Sequence, residues 1–273
     1  MKDIHLPKKS LGQHFLTNAS VADRIVEHAG LTANDIVLEI GPGRGILTGR
    51  LLERGCTVTA VELDSELVRD LAARFGEQPG FRLVEADILT VDFDRLFHGA
   101  SCRIKVVSNL PYYISTPIID LLCRKRALVS EAVLMVQREV AKRLLAQPGS
   151  KAYGLTTVNL ALCAEGRRLF DVNPGSFSPP PEVVSSVISL GFHEDLRYPL
   201  ENEGVFYEVT GAAFRHRRKM VRNTLVPYLV TRGIGKADAL DILSSAGIEP
   251  TARPEEVDVG SFVLFSNAVA GML

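Results

Sequence analysis

The chain has 273 residues, 46% of them hydrophobic, and a formal net charge of -1: enough for one large domain or a core domain with a smaller appendage, and too near neutral for a protein that coats polyanions over its whole surface. Its four cysteines, Cys56, Cys102, Cys123 and Cys163, form neither a Cys-x-x-Cys pair nor a cluster with histidine, so reduced thiols and no metal site are expected. The start lacks the apolar core of a signal peptide and no apolar run approaches a bilayer span, which gives the expectation of a soluble, cytoplasmic protein with no membrane partner.

In chain order, a polar arm around Lys8-Lys9-Ser10-Leu11-Gly12-Gln13-His14 precedes a helical period from Ala19 to Ala29, with Asn18 available as its cap. Val37-Leu38-Glu39-Ile40 then breaks into Gly41-Pro42-Gly43-Arg44-Gly45, and a helix through Leu47, Leu51 and Leu52 follows. A buried parallel strand turning into a helix through alternating glycines reads as the first βαβ unit of a nucleotide-binding fold, the glycines letting a ligand approach the backbone; a tight turn with no ligand has the same local appearance. Thr57 to Val61 is a second strand, ending in Glu62-Leu63-Asp64, with Asp64 placed to cap a helix over Ser65 to Phe75. Glu62, about twenty residues after Gly41, stands where such folds place the carboxylate that accepts both ribose hydroxyls. A dinucleotide does not fit, because Ile46 stands where its fingerprint requires glycine and Pro42 removes a backbone N–H. A ribose without a pyrophosphate does fit, and S-adenosylmethionine is the candidate.

Phe81 to Glu85 is a third strand, leading to Asp87, which can reach the adenine of that ligand or merely cap a turn. A fourth strand, Ile104 to Val107, runs into Asn109-Leu110-Pro111-Tyr112-Tyr113. Methylation of an exocyclic amine needs two acceptors on its N–H bonds, since its lone pair is delocalised into the ring until the nitrogen pyramidalises. The Asn109 side-chain oxygen and the Leu110 carbonyl can be those acceptors, and Tyr112 can stack on the base.

Together, Gly41, Glu62, Asp87 and Asn109 at successive strand ends resemble the class I methyltransferases. More closely, the chain resembles the KsgA-type ribosomal RNA adenine dimethyltransferases, through Lys9-Ser10-Leu11-Gly12-Gln13-His14-Phe15-Leu16, Glu39-Ile40-Gly41-Pro42-Gly43, Val61-Glu62-Leu63-Asp64, Glu85-Ala86-Asp87-Ile88-Leu89 and Asn109-Leu110-Pro111-Tyr112-Tyr113. The resemblance covers nearly the whole chain. It implies that the arm touches the cofactor through the main chain of His14 and Leu16, His14 standing where asparagine is more usual. It also implies that Phe177, in Phe177-Ser178-Pro179-Pro180-Pro181-Glu182-Val183-Val184-Ser185, faces the target adenine opposite Tyr112; a stiff proline loop that closes the sheet edge is the competing reading.

Ala132 to Gln137 reads as a fifth strand, Arg138 to Ala146 as a helix, and Leu155 to Cys163 as helix in preference to strand. Arg168 to Val172 and Val183 to Phe192 are expected to complete the sheet as an antiparallel pair. From about Glu201 the periods are helical. There Arg215, Arg218, Lys219 and Arg222 fall at i, i+3, i+4 and i+7 of one expected helix, with Phe214, Val221 and Leu225 on another side; the basic stripe suits phosphate contact, though charge runs are often only solvated faces.

The expected architecture is therefore α/β: a Rossmann-like class I methyltransferase domain over residues 1–197, with its N-terminal arm, and a small all-helical RNA-binding or substrate domain over 198–273. The expected cofactor site is His14, Leu16, Gly41, Gly43, Glu62, Asp87 and Asn109, the catalytic group Asn109, Leu110, Tyr112 and Phe177, and the RNA contact Arg215, Arg218, Lys219 and Arg222. The resemblance implies a monomer acting on small-subunit ribosomal RNA within immature subunits, converting two adjacent adenosines near the 3′ end to N6,N6-dimethyladenosine. The rivals are a large-subunit RNA adenine methyltransferase of the antibiotic-resistance type and an RNA-binding assembly factor that kept the fold.

Overall fold

Residues 13–272 are described by the computed structural model, so Lys8, Lys9, Ser10, Leu11 and Gly12 of the arm lie outside the described residues. The chain runs through β1 (Phe15–Leu16), α1 (Ala19–His28), β2 (Ile36–Ile40), α2 (Ile46–Glu53), β3 (Thr57–Glu62), α3 (Ser65–Phe75), β4 (Phe81–Glu85), α4 (Phe93–Leu96), β5 (Ile104–Asn109), α5 (Ser115–Arg124) and β6 (Val129–Gln137). It continues as α6 (Arg138–Leu144), α7 (Leu155–Cys163), β7 (Ala164–Val172), β8 (Phe177–Ser178), β9 (Ser185–Phe192), α8 (Glu203–Phe214), α9 (Arg222–Val230), α10 (Lys236–Ser245) and α11 (Val259–Ala270). No helix among the described residues is long and apolar enough to cross a membrane.

The main sheet has seven strands in the order β4-β3-β2-β5-β6-β9-β7. Pairs β2–β3, β3–β4, β2–β5 and β5–β6 are parallel and β9 joins β6 antiparallel. The chain builds outward from β2 to β4 and then returns to β2's other side, so the strand order reverses between β2 and β5, and the carboxyl ends of those strands are where such a sheet binds ligands. Central β2 is buried on both faces, with Val37, Leu38 and Ile40 at most 1% exposed, as its sequence, apolar except at Glu39, favours. One side of the sheet is covered by a core that joins Val21, Ile25 and Val26 of α1 and Leu47 and Leu51 of α2 to Val37, Val58, Val107 and Val187.

Local chemistry sets the helix starts that border the ligand edge. Asn18 Oδ1 accepts the amide N–H of Ser20 at 3.1 Å to open α1, and Asp64 accepts that of Glu66 at 3.1 Å to open α3. Gly45 opens α2 at φ 73°, in the left-handed region, and a Cβ there would lie 2.6 Å from Phe75 Cε2. This glycine is thus required by the packing of α3 as well as by the turn.

The chain divides into two units: residues up to Ala141 with Glu165–Glu194, and Lys142–Ala164 with the chain from Asp195 on. A single crossing near residue 197 was expected; instead α7 belongs with the later helices. The reason is its apolar face: Val158 and Leu162 share a core with Phe206, Val209, Leu225, Phe262 and Val263, and the hydroxyl of buried Tyr153 donates to the Val257 carbonyl at 3.0 Å. Residues separated by a whole β-hairpin in sequence bury one another.

The expected continuous helix through Arg215–Leu225 does not form. Helix α8 stops at Phe214, turns carry Arg215 to Val221, and α9 starts at Arg222. Like charges at i,i+3 and i,i+4 oppose a helix through Arg215-His216-Arg217-Arg218-Lys219. Tertiary bonds favour the turn: Arg217 Nε pairs with Glu255 at 2.9 Å, and the Val221 and Arg222 amides donate to the carbonyls of Ala252 and Pro250.

Candidate active site

One cavity, enclosing about 950 Å³ of empty space including its open mouth, lies at the carboxyl ends of β2, β3, β4 and β5. That volume suits a nucleoside-sized ligand with room beside it. The structure brings His14, Leu16, Gly41, Gly43, Glu62, Asp87, Asn109, Leu110 and Tyr112 together in its wall, although they come from five separate stretches of chain.

Glu62 ends β3 and is 7% exposed. Its Oε2 accepts the Gly43 amide at 3.2 Å, and its Oε1 accepts those of Leu63 and Asp64 at 2.9 and 3.0 Å. Burial pushes its carboxyl above the usual range, and the backbone donors pull it back. The side chain is thus held in one orientation with lone pairs left for hydroxyl donors. Gly43, at φ 57°, has Phe15 so close that a Cβ would lie 3.0 Å from its Cδ1. The glycine loop therefore has protein-side duties: it seats Phe15 and orients Glu62. Asp87 does what a capping residue does, accepting the Leu89 amide on Oδ1 at 2.9 Å, and lines the cavity as well.

Asn109, at the end of β5, donates its side-chain N–H to the His14 main-chain carbonyl at 3.3 Å. That bond fixes which end of the amide is which. Its Oδ1 is buried and has no partner among the described residues, and an unpaired buried acceptor costs roughly 1–3 kcal/mol. Tyr112 is fixed by its hydroxyl, 2.5 Å from Ser185 Oγ at the end of the proline loop; burial pushes its phenol up and Ser185 opposes the shift.

Phe177 is placed differently from the expectation. It is 4% exposed, pairs with Leu16 across β1–β8, and belongs to the core formed with α1 and β9 rather than to the cavity wall. Side chains alternate along even a two-residue strand, and burying a phenylalanine is worth about 1.5–3 kcal/mol, which holds the ring inward.

Among the described wall residues not singled out from the sequence, three have ionisable side chains. Glu39 is 1% exposed in the middle of the sheet, accepts the Thr48 hydroxyl at 2.7 Å, and is pushed up to about 8, first by burial and further by the Glu62 charge. A carboxylate inside an otherwise apolar parallel strand was the available signal. Arg44 lies 4.6 Å over the Phe15 ring. Tyr113 stands on the rim, 53% exposed, its phenol raised by partial burial and by the nearby Asp87 and Glu62 charges.

In the second unit, Arg215, Arg218, Lys219 and Arg222 are all exposed, and none makes an ion pair among the described residues. Arg217, between them, is tied to Glu255 and to the Lys151 carbonyl at 2.5 Å.

Comparisons with known proteins fit this arrangement. The sequence model of the family described as "Ribosomal RNA adenine dimethylase" matches residues 4–270. The chain is 43% identical over 261 residues to the Ribosomal RNA small subunit methyltransferase A of Magnetococcus marinus, covering 96% of this chain and 91% of the relative. It is 37% identical over 267 residues to the protein of that description from Pseudomonas savastanoi pv. phaseolicola, covering 97% and 96%. Among solved structures, a dimethyladenosine transferase from Plasmodium falciparum superposes with a TM-score of 0.76 at 28% identity, covering 92% of this chain and 96% of that one. The 23S rRNA methyltransferase ErmE superposes at 0.68 with 23% identity, covering 94% and 99%, a likeness of fold.

Proposed function

This chain belongs to the ribosomal RNA adenine dimethylase family, and from that premise we propose that it transfers methyl groups from S-adenosylmethionine to N6 of two adjacent adenosines near the 3′ end of small-subunit ribosomal RNA. The observation that carries the site chemistry is the buried, unpartnered Oδ1 of Asn109 beside the fixed ring of Tyr112, an acceptor placed for an amine and a face placed for its base.

The wall fits the cofactor. Glu62 presents oriented carboxylate oxygens to ribose hydroxyls, Asp87 stands one strand further out toward the adenine, and the Gly41–Gly43 backbone forms the floor. Glu62 and Asp87 in one wall suit a ligand carrying positive charge. S-adenosylmethionine supplies an electrophilic sulfonium methyl. Asn109 Oδ1 and the Leu110 carbonyl accept the two N6–H bonds, which favours the pyramidal nitrogen and aims its lone pair at the methyl carbon. With that methyl donor bound, these two acceptors would hold N6 for in-line attack on the methyl carbon, and the N6 proton released on methylation would pass to solvent. No strong base is needed, because that proton becomes acidic only once the nitrogen is charged.

Arg215, Arg218, Lys219 and Arg222 are exposed cations with no carboxylate partner among the described residues and serve as phosphate contacts. The small-subunit reading is preferred over the large-subunit one because the relatives at 37% and 43% identity carry the small-subunit description, whereas ErmE shares the fold at 23%. The test is incubation of the protein and labelled S-adenosylmethionine with unmethylated small subunits, then digestion of the RNA to nucleosides. N6,N6-dimethyladenosine is expected; its absence under conditions where a known enzyme produces it refutes the reading.

A further inference from the structure

His14 has contacts that its main-chain role does not need. Its imidazole lies against the Tyr112 ring, centroids 5.6 Å apart and planes 28° apart. Its Nδ1 is 2.9 Å from the Pro179 carbonyl oxygen, and because a carbonyl only accepts, Nδ1 carries the hydrogen and donates it. The same residue's carbonyl takes the Asn109 amide. His14 thus touches two parts of the target-base site assigned above, the Asn109 amide and the Tyr112 ring, and the proline loop beside them.

Tyr112 does not need this stack to hold its place, since its hydroxyl is bonded to Ser185 and its chain leaves the rigid end of β5. Yet the acceptor meant for the target amine, Asn109 Oδ1, is buried, so a base cannot reach it without a rearrangement nearby. The imidazole is the aromatic group that already lies on the Tyr112 ring, and it is tied to Pro179 by a single hydrogen bond that water can replace.

We propose that the His14 imidazole is a placeholder for the target base: in the base-free protein it covers the Tyr112 face that adenine takes, and it leaves that face when adenine enters. The inference rests on the target-site reading above. A flat ring over Tyr112 keeps an aromatic face out of water, so an entering base must replace the stack and also satisfy Asn109. Adenine does both, with a larger π-face and an N6–H donor. Guanine presents O6, an acceptor, to an acceptor, and so cannot repay the displacement. The placeholder positions nothing in the transition state; it sets a threshold for entry.

Removing it therefore speeds the reaction. With unmethylated small subunits as the varied substrate and S-adenosylmethionine saturating, His14→Ala is expected to raise kcat/KM for the subunit about two- to tenfold, the worth of one aromatic stack. His14→Asn keeps a donor for Pro179 and removes the ring, so it should change in the same direction. It carries the test if thermal melting shows that the alanine variant is unfolded. An unchanged or reduced kcat/KM in a folded variant overturns the proposal, because a wall or supporting role predicts loss. If the wild-type protein makes no dimethyladenosine, the target-site reading itself falls and this inference falls with it; wild-type turnover with no gain in the variants refutes the placeholder alone.

Discussion

Replacing Glu39 with glutamine tests whether the acid in the centre of the sheet carries a proton. In the folded chain its carboxyl is pushed from 4.5 up to about 8, chiefly by burial. A raised acid pKa means that the folded state holds the proton more tightly than the unfolded chain. Its contribution to stability is therefore fully present below pH 4.5 and is lost as pH rises toward about 8. The slope over that window is about 1.4 kcal/mol per pH unit, for a total on the order of 5 kcal/mol. At pH 7.5, roughly three units above the unfolded value, wild type has lost about 4 kcal/mol that a permanently neutral side chain keeps. Glutamine can still accept the Thr48 hydroxyl, but its NH₂ needs acceptors, at a cost of roughly 1–3 kcal/mol if it finds none. Glu39→Gln is thus expected to be less stable than wild type near pH 4.5 and more stable, by about 1–3 kcal/mol, near pH 7.5. Glu62, also raised, is present in both proteins and largely cancels in the difference. Urea unfolding of both proteins by circular dichroism, in steps from pH 4.5 to 8.5, measures this. A stability difference independent of pH would mean that Glu39 is ionised in the folded chain and would refute the reasoning.

Other consequences can be measured directly. Asn109→Ala should abolish detectable dimethyladenosine while leaving S-adenosylmethionine affinity by calorimetry within a few-fold of wild type; equal loss of both would assign Asn109 a structural role. Gly45→Ala forces a Cβ to within 2.6 Å of Phe75 and 2.9 Å of Leu71 at a left-handed φ, and should cost about 2–4 kcal/mol of stability in thermal or urea melts. Neutralising Arg215, Arg218, Lys219 and Arg222 to glutamine should weaken subunit binding and lower the slope of log affinity against log salt by up to about 0.9 per phosphate contact removed; an unchanged slope would show that these cations are only solvated.

The parts of the site legible in sequence were those set by local chemistry. Strands β2 to β5 announce themselves as short apolar runs, and a residue that ends a parallel strand is carried to the ligand edge whatever packs around it. Gly41, Glu62, Asp87 and Asn109 therefore share one cavity as their spacing predicted, and Asp64 and Asn18 cap the helices that their positions required. Phe177 was read as a site residue from its motif, but a motif does not say which face of a strand is inward; pairing with Leu16 turned it into the core. The basic stripe was read from helical spacing, which assumes a helix; the bonds to Glu255, Ala252 and Pro250 made turns there instead.

The sequence by itself determined the strand–loop–helix succession, the carboxylates at strand ends and the Asn-Leu-Pro-Tyr segment, because each depends on residues only a few positions apart. Tertiary structure alone decided that Lys142–Ala164 joins the later helices, that Glu39 lies buried in the cavity wall with its carboxyl pushed up, and that His14 lies on Tyr112. Those outcomes depend on burial and on contacts between residues far apart in the chain, and neither is encoded in spacing.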